Sequence, residues 1–434
     1  VPDPNTIYYM YNSIQLFYQN GGGDAYIVSV GSYGEPSNHP MRLLDVMVNP
    51  NVLLDDLQNG IALLKDEKEP TMYVCPEATL LSVANNGALM QSMLFQSSEM
   101  RTAISIFDVI GGANPDPILY TNDLDTFRNN TGARGLSFGC AYYPFIGTVL
   151  MQESDLDFTN LFGGDLDALE TLLNLYETPN EYVAGIFKKI RNLDQTSFTI
   201  AELHKALLDA STLYASIIQK VLLDANMLPP SGAMAGVMTM VDNNEGVWKA
   251  PANTSIVGAV SLPIALTSQE QEGLNIDAVS GKSINAIRFF NGLGILIWGA
   301  RTLDANSLDW RYMNVRRTMI MLEQSIKFAS KAYVSSFSNA IAEELHDKNI
   351  TVTALLPGAT ETGFAKTSGV DKTAIYSNPA SARSVAEDGY NAMINGKLDV
   401  ISVSSRAQKI QLSLVSFFPK KMILKTTRKM QEEK

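Results

Sequence analysis

Pro229-Pro-Ser-Gly-Ala-Met-Ala-Gly236, running on through Asp242-Asn-Asn-Glu-Gly-Val-Trp-Lys-Ala-Pro-Ala-Asn253, is the stretch on which the reading of this chain turns. It holds neither His nor Cys, and its two acids, Asp242 and Glu245, fall where a turn is expected. What remains is turn formers, small residues and one tryptophan, Trp248, set among Gly246, Val247, Lys249, Ala250 and Pro251. That mixture predicts a rigid surface segment pressed against another protein, not a catalytic loop.

Composition narrows the classes. At 434 residues the chain is long enough for several domains, each with its own core. Hydrophobic residues at 46% and charged residues at 18% argue against disorder over most of the length. A net charge of -12 argues against a nucleic-acid binder, which presents a basic field. The charge is uneven: residues 405–434 carry eight Lys/Arg against Glu432 and Glu433, so the remainder holds the acidic excess. That basic end reads as a solvated helix face, with a membrane-surface contact through Leu412, Leu414, Phe417, Phe418 and Ile423 as the alternative. Cys75 and Cys140 alone make no disulfide framework and point to a reducing compartment. No apolar run reaches the roughly 18 residues of a membrane span. The opening at Val1, without a leader pattern, leads to the expectation of a fragment or a processed start.

Along the chain, residues 6–19 give a helical apolar pattern, stopped by Gly21-Gly-Gly23. Ala25-Tyr-Ile-Val-Ser-Val30 then predicts a strand. A phosphate cradle needs the order strand, Gly-rich turn, helix, and here the order is reversed, so the glycines read as a C-cap and turn. Alternation of α and β continues: Leu53–Leu64 helical, Thr71–Val74 extended, Ala78–Met100 helical in part, Ile104–Val109 and Gly135–Tyr143 as strands near a core. Residues 151–228 are acidic at first and then helical, with Thr199-Ile-Ala-Glu202 as a capping box. The helix it opens is expected to bury Ile200, Leu203, Leu207, Tyr214, Ile217, Ile218 and Val221. Thr267-Ser-Gln-Glu270 starts a shorter helix in the same way, and Ile284–Phe290 and Leu293–Trp298 form a hairpin joined by Asn291-Gly292.

These segments resemble the contractile tail sheath proteins of phage tails and related injection systems. The likeness rests on Pro230, Gly232 and Asp242, on Gly246-Val-Trp-Lys-Ala-Pro251, on Trp298, Gly299 and Arg301, and on Arg316 and Arg317. Asn20-Gly-Gly-Gly23, Cys75-Pro-Glu-Ala78 and Ala141-Tyr-Tyr-Pro-Phe145 extend it over residues 1 to about 326. The resemblance implies a mechanical subunit. Identical copies make heterologous contacts around an inner tail tube, terminal strands cross into neighbours, and rigid-body rotation carries the assembly from an extended to a contracted state.

From Ala329-Ser-Lys-Ala-Tyr-Val334 onward the sequence instead resembles a short-chain dehydrogenase/reductase. Lys331 matches that family's catalytic lysine, Thr351-Val-Thr-Ala-Leu-Leu-Pro-Gly358 its sixth strand, and Thr360 and Thr362 its Pro357-Gly358 loop. Lys327 stands where the family has its proton-donating tyrosine, and the Gly-rich dinucleotide turn is missing. Both resemblances meet inside one helical period running from Val315 to Leu345, longer than a globular domain usually needs. The junction reads as a fusion without function or as an artefactual joining of two reading frames, and a body so altered at its ends is expected to show impaired or absent polymerisation.

No other chemistry competes. His39, His204 and His346 are dispersed, no His/Cys/carboxylate set has metal spacing, and Trp248 reads as a packed or interface residue. The expectation is a multidomain α/β and α+β chain: 1–150 sheath-like α/β, 151–228 helical insertion, 229–328 sheath core with the hairpin, and 329–434 a partial Rossmann-type fragment. It is expected to be a non-enzyme without cofactor, self-associating, bound to an inner tube and not to nucleic acid. Its expected place is a virion tail or a cytoplasmic contractile assembly.

Overall fold

The computed structural model describes residues 8–34, 48–176, 180–193, 197–277, 279–345, 350–362, 376 and 378–404, and within 326–336 no side chains at 327–332 or 334–335. The basic segment 405–434, His39 and His346 lie outside the described residues. The chain divides into two compact units, Val1–Met321 and Leu322–Lys434.

The first unit is organised by strands whose neighbours alternate faces. β1 (Met72–Val74), β2 (Ile104–Asp108), β3 (Gly139–Tyr143) and β8 (Asn285–Phe290) run parallel, and β9 (Gly294–Ile297) and β6 (Thr254–Ser255) add to them antiparallel. The order is β1-β2-β3-β8-β9-β6. Ile106 opposes Cys140 and Phe107 opposes Ala141, so odd and even positions serve opposite faces. Ile104, Ile106, Cys140 and Tyr142 join one core with α1 (Tyr9–Gln19) and α9 (Ser231–Asn244). Tyr73, Phe107, Ala141 and Tyr143 join the other, with α3 (Val83–Met100) and α4 (Tyr120–Asn130). Covering on both faces is what a parallel sheet requires, since neither face can be left to water. A smaller antiparallel sheet sets β4 (Ile146–Thr148) between β5 (Met227–Leu228) and β7 (Ala259–Ser261).

Four helices between β4 and β5 form a third core: α5 (Leu166–Tyr176), α6 (Glu181–Arg191), α7 (Ile200–Ala210) and α8 (Thr212–Ala225). The Thr199/Glu202 and Thr267/Glu270 capping boxes both form, the second opening α10 (Ser268–Asn275). The single helix expected after Thr199 is instead two, bent by 113°. Ser211 takes an extended backbone and its Oγ accepts from the Tyr214 N–H at 3.0 Å, capping α8 just as α7 ends. The bend turns Leu203, Leu207, Tyr214 and Ile218 inward together, while Ile200 is left exposed.

Three further expectations are corrected. Ala25–Val30 forms no strand and joins no sheet. Gly135–Phe138 is a tight turn preceding β3 rather than part of the strand. The β8–β9 hairpin forms, but through three residues: Phe290 pairs with Gly294, and the Leu293 N–H donates to the Phe290 carbonyl at 3.1 Å.

α11 (Met313–Leu345) begins in the first unit and ends in the second, as the unbroken apolar period predicts. In the second unit β10 (Ala354–Pro357) and β13 (Asp399–Ser402) pair in parallel, joined by a connection that includes α12 (Ala382–Ile394); β11 (Thr360–Glu361) pairs with β12 (Ala380–Ser381). Ala354 and Val400 are buried, but Leu355 and Leu356 are each 39% exposed, so the pair carries little core of its own.

Candidate functional site

Only part of residues 229–253 lies on the surface. Ser231–Asn244 is α9, with Ala233, Met234, Val237 and Met238 buried against the sheet. Pro230 lies two residues beyond the end of β5, and the Met234 N–H donates to its carbonyl at 2.9 Å, the first helical bond. No side chain of Pro230 can cap the helix. Asp108, the last residue of β2, does so from across the fold: its Oδ1 accepts from the Ser231 N–H at 2.8 Å and its Oδ2 from the Ser231 Oγ at 2.5 Å. Burial pushes the Asp108 carboxyl up to about 7, against the lowering effect of those bonds. A second buried acid, Glu77, lies after β1, accepts from Tyr33 Oη at 2.5 Å and is likewise raised by desolvation.

The other end of α9 meets the head of α11. Asp242 lies in the last turn of α9, not in a loop, and Glu245 caps that helix. The Arg317 fork takes both Asp242 oxygens, Nη1 to Oδ1 at 3.0 Å and Nη2 to Oδ2, with the Arg317 side chain 5% exposed. Bidentate geometry fixes the angle between the helices as well as their separation. Arg316 points elsewhere: its Nη2 donates to Ser137 Oγ at 2.7 Å, and its guanidinium stands 4.2 Å from the Phe138 ring and 3.8 Å from the Trp310 ring.

The remaining motif residues are tied to this body by backbone contacts. Asn285 is fully buried; its Nδ2 donates to the carbonyls of Ala141 and Arg301, and its Oδ1 accepts from the Arg301 N–H at 2.7 Å. Gly299 packs on it so closely that a Cβ there would lie 2.6 Å from Oδ1. The Trp298 ring lies 4.4 Å from that of Phe290, tilted at 44°. Asn314 Nδ2 donates to the Trp248 carbonyl at 2.8 Å, anchoring the loop after α9 while the indole itself stays 63% exposed. Gly246 and Val247 are half-buried, Pro251 is buried, Ala250 is half-buried, and Lys249 pairs with Glu245 at 2.9 Å in the open. Pro230, Gly232, Asp242, Arg316 and Arg317 are thus framework, whereas Trp248 and Lys249 face outward.

Trp310 and Asn314, from the sheath-like run Trp310-Arg-Tyr-Met-Asn-Val-Arg-Arg317, belong to this constellation, as do Asp108 and Asn285, which the sequence motifs do not single out. Asn285 leaves a signal, as a lone amide inside the apolar run Ile284–Phe290, where only a buried and fully bonded amide is tolerated. Asp108 leaves a similar one at the end of Ile104-Ser-Ile-Phe.

Chemically the arrangement holds shape. Among the described residues no group of three or more His, Cys, Asp or Glu could hold a metal. His204 Nδ1 lies 2.9 Å from Tyr214 Oη within the helical core. Both cysteines are free, and burial pushes the Cys140 thiol well up. In the second unit the Gly358 N–H donates to the Ser402 carbonyl at 2.8 Å, Thr360 Oγ1 donates to the Gly358 carbonyl at 2.9 Å, Pro357 ends β10 and Thr362 is exposed. The Lys331 side chain lies outside the described residues.

The chain is similar in part to solved components of contractile injection systems. Against the six-fold symmetrised baseplate of the anti-feeding prophage it has a TM-score of 0.41 and 19% identity, covering 78% of this chain and 66% of that one. Against the sheath complex of an extracellular contractile injection system, PVC, in its contracted state, the values are 0.41 and 20%, with 80% and 67% covered. Against the contracted helical sheath of the anti-feeding prophage they are 0.40 and 21%, with 74% and 58% covered. No family model and no curated protein matches the chain.

Proposed function

We propose that this chain is a structural subunit of a contractile tail sheath, from a phage tail or a related injection system, and not an enzyme. The observation that carries the reading is where the sheath-like residues fall. Asp242 with Arg317, Arg316 with Ser137, and Gly299 and Arg301 with Asn285 make separate fixed contacts within the first unit, while Trp248 projects into solvent. A rigid body with an anchored, outward aromatic suits a subunit that moves as a unit and grips its neighbours at a few points. Its partners are identical copies and an inner tail tube, and its place is a virion tail or a cytoplasmic contractile assembly. The second unit is read as a partial Rossmann-type remnant resembling a short-chain reductase, without activity, because Lys327 occupies the position of the proton-donating tyrosine.

Immunogold labelling of contractile particles from the source, with an antibody to this chain, tests the reading. Regular label along the tail is expected. Unlabelled tails, with the chain recovered only from the particle-free fraction, would overturn it. Saturable NADPH binding by the purified chain would overturn the reading of the second unit and leave the first untouched.

A further inference from the structure

Beside the six-stranded sheet lies a cavity of about 710 Å³. It is lined by Met72 and Val74 of β1, by the segment from Gly23 to Tyr33, by Leu57 and Gly60 of α2 (Leu54–Leu63), and by Phe17 of α1 and Ala235 of α9. β1 stands at the end of the strand order and, among the described residues, pairs only with β2. Its outer row of N–H and C=O groups is therefore an open edge, which folds normally cover. Ala25-Tyr-Ile-Val-Ser-Val30, which lines the same cavity, has the β-branched and aromatic composition of a strand but forms no ladder. From Ile27 to Val30 its side chains already alternate. Val28 and Val30 lean on α2, where a Cβ at Gly60 would lie 3.5 and 2.6 Å from their Cγ1 atoms, while Ala25, Ile27 and Ser29 face solvent, Ile27 at 62% exposed. Glycines with positive φ flank it, Gly21 at 88° and Gly34 at 87°. Tyr26 Oη donates to Glu69 Oε2 at 2.7 Å and holds the segment to the rim.

We propose that Ala25–Val30 is a strap with two positions: the open one just described, and a closed one in which it pairs with the outer edge of β1 as a seventh strand. Chain order sets the direction of pairing. Strap, α2 and β1 form a strand–helix–strand unit, whose strands run parallel with the helix on one face. Val28 and Val30 already present that face to α2, so closure shifts the strap without turning it over. Closing fills the cavity, buries Ile27 and supplies the missing ladder. The Tyr26–Glu69 bond is the catch that holds the strap open. The proposal is independent of the sheath reading.

Hydrogen exchange by mass spectrometry on the full chain tests it, with the β2 amides as the check that each variant is folded. Tyr26→Phe releases the catch, and slowing of strap exchange by at least about tenfold relative to wild type is expected. Ile27→Pro and Val28→Pro, one for each direction in which strand N–H groups point, remove the ladder donors. At least one of them is expected to abolish strap protection and to speed exchange at Met72 and Val74, whose N–H groups point away from β2. If wild type is already protected, the same loss in a proline variant supports the closed state. Strap exchange at free-chain rates in both wild type and Tyr26→Phe would overturn the proposal. So would strap protection that survives both prolines.

Discussion

Replacing Gly236 by alanine is the sharpest single perturbation of this fold. α9 crosses α1 at two glycines: a Cβ at Gly232 would lie 2.8 Å from the Ser13 carbonyl oxygen, and one at Gly236 would lie 2.4 Å from that of Phe17. The obstacle is backbone in both cases, so no side-chain rotation relieves it. Restoring an ordinary contact at Gly236 needs the helices to part by about 1 Å, and a gap of that size forfeits roughly a quarter to a half of each contact's attraction. Overpacking of this kind costs about 1–3 kcal/mol, and the better helix propensity of alanine returns about 1 kcal/mol. The net expectation is destabilisation by up to about 2 kcal/mol. The identical change at Gly185, in α6, meets nothing within 4 Å. There only the propensity term operates, and stabilisation by about 0.5–1 kcal/mol is expected. Urea unfolding followed by tryptophan fluorescence is suited to both, because Trp248, Trp298 and Trp310 are the chain's three tryptophans and all lie in the first unit. A Gly236→Ala midpoint at or above wild type would refute the close-crossing argument, most clearly if Gly185→Ala behaved the same way.

Three other outcomes follow from the same framework. Burial raises the Asp108 pKa from 3.8 to about 7, so the neutral carboxyl's contribution is complete below about pH 3.8 and lost as the pH rises toward 7. Asp108→Asn should remove that slope, gaining up to about 4 kcal/mol on wild type between those limits in urea titrations; parallel curves would refute it. Asp242→Ala strands the Arg317 charge and should cost about 2–3 kcal/mol, whereas Arg317→Lys, which keeps charge but loses the fork, should cost about 1 kcal/mol; equal losses would remove the role of bidentate geometry. Trp248→Ala should leave stability within about 0.5 kcal/mol of wild type yet weaken self-association in sedimentation velocity; unchanged association would exclude the exposed indole from the interface.

Legibility followed the range of the interactions. The capping boxes at Thr199 and Thr267, the β8–β9 hairpin and the long period of α11 are set by residues within a few positions of one another, and each was readable. The Ser211 break was also local, a serine able to cap the helix that follows, but the continuous apolar spacing on either side outweighed it. The motif residues were readable as a set but not in their roles. Asp242 and Arg317 are 75 positions apart, and Asp108 and Ser231 are 123 apart. No periodicity relates positions so distant.

By itself, then, the sequence determined the α/β alternation, the helix starts, the hairpin and the helical character of the insertion, because backbone hydrogen bonds and caps close over short spans. Tertiary structure alone decided that α9 is core and not surface. Small residues such as Gly232, Ala235 and Gly236 are equally compatible with an exposed turn or with a helix pressed against another, and only the presence of α1 at backbone contact distinguishes the two. It also decided that Ala25–Val30 stands off the sheet, since strand propensity specifies an extended chain but a ladder needs an edge within reach.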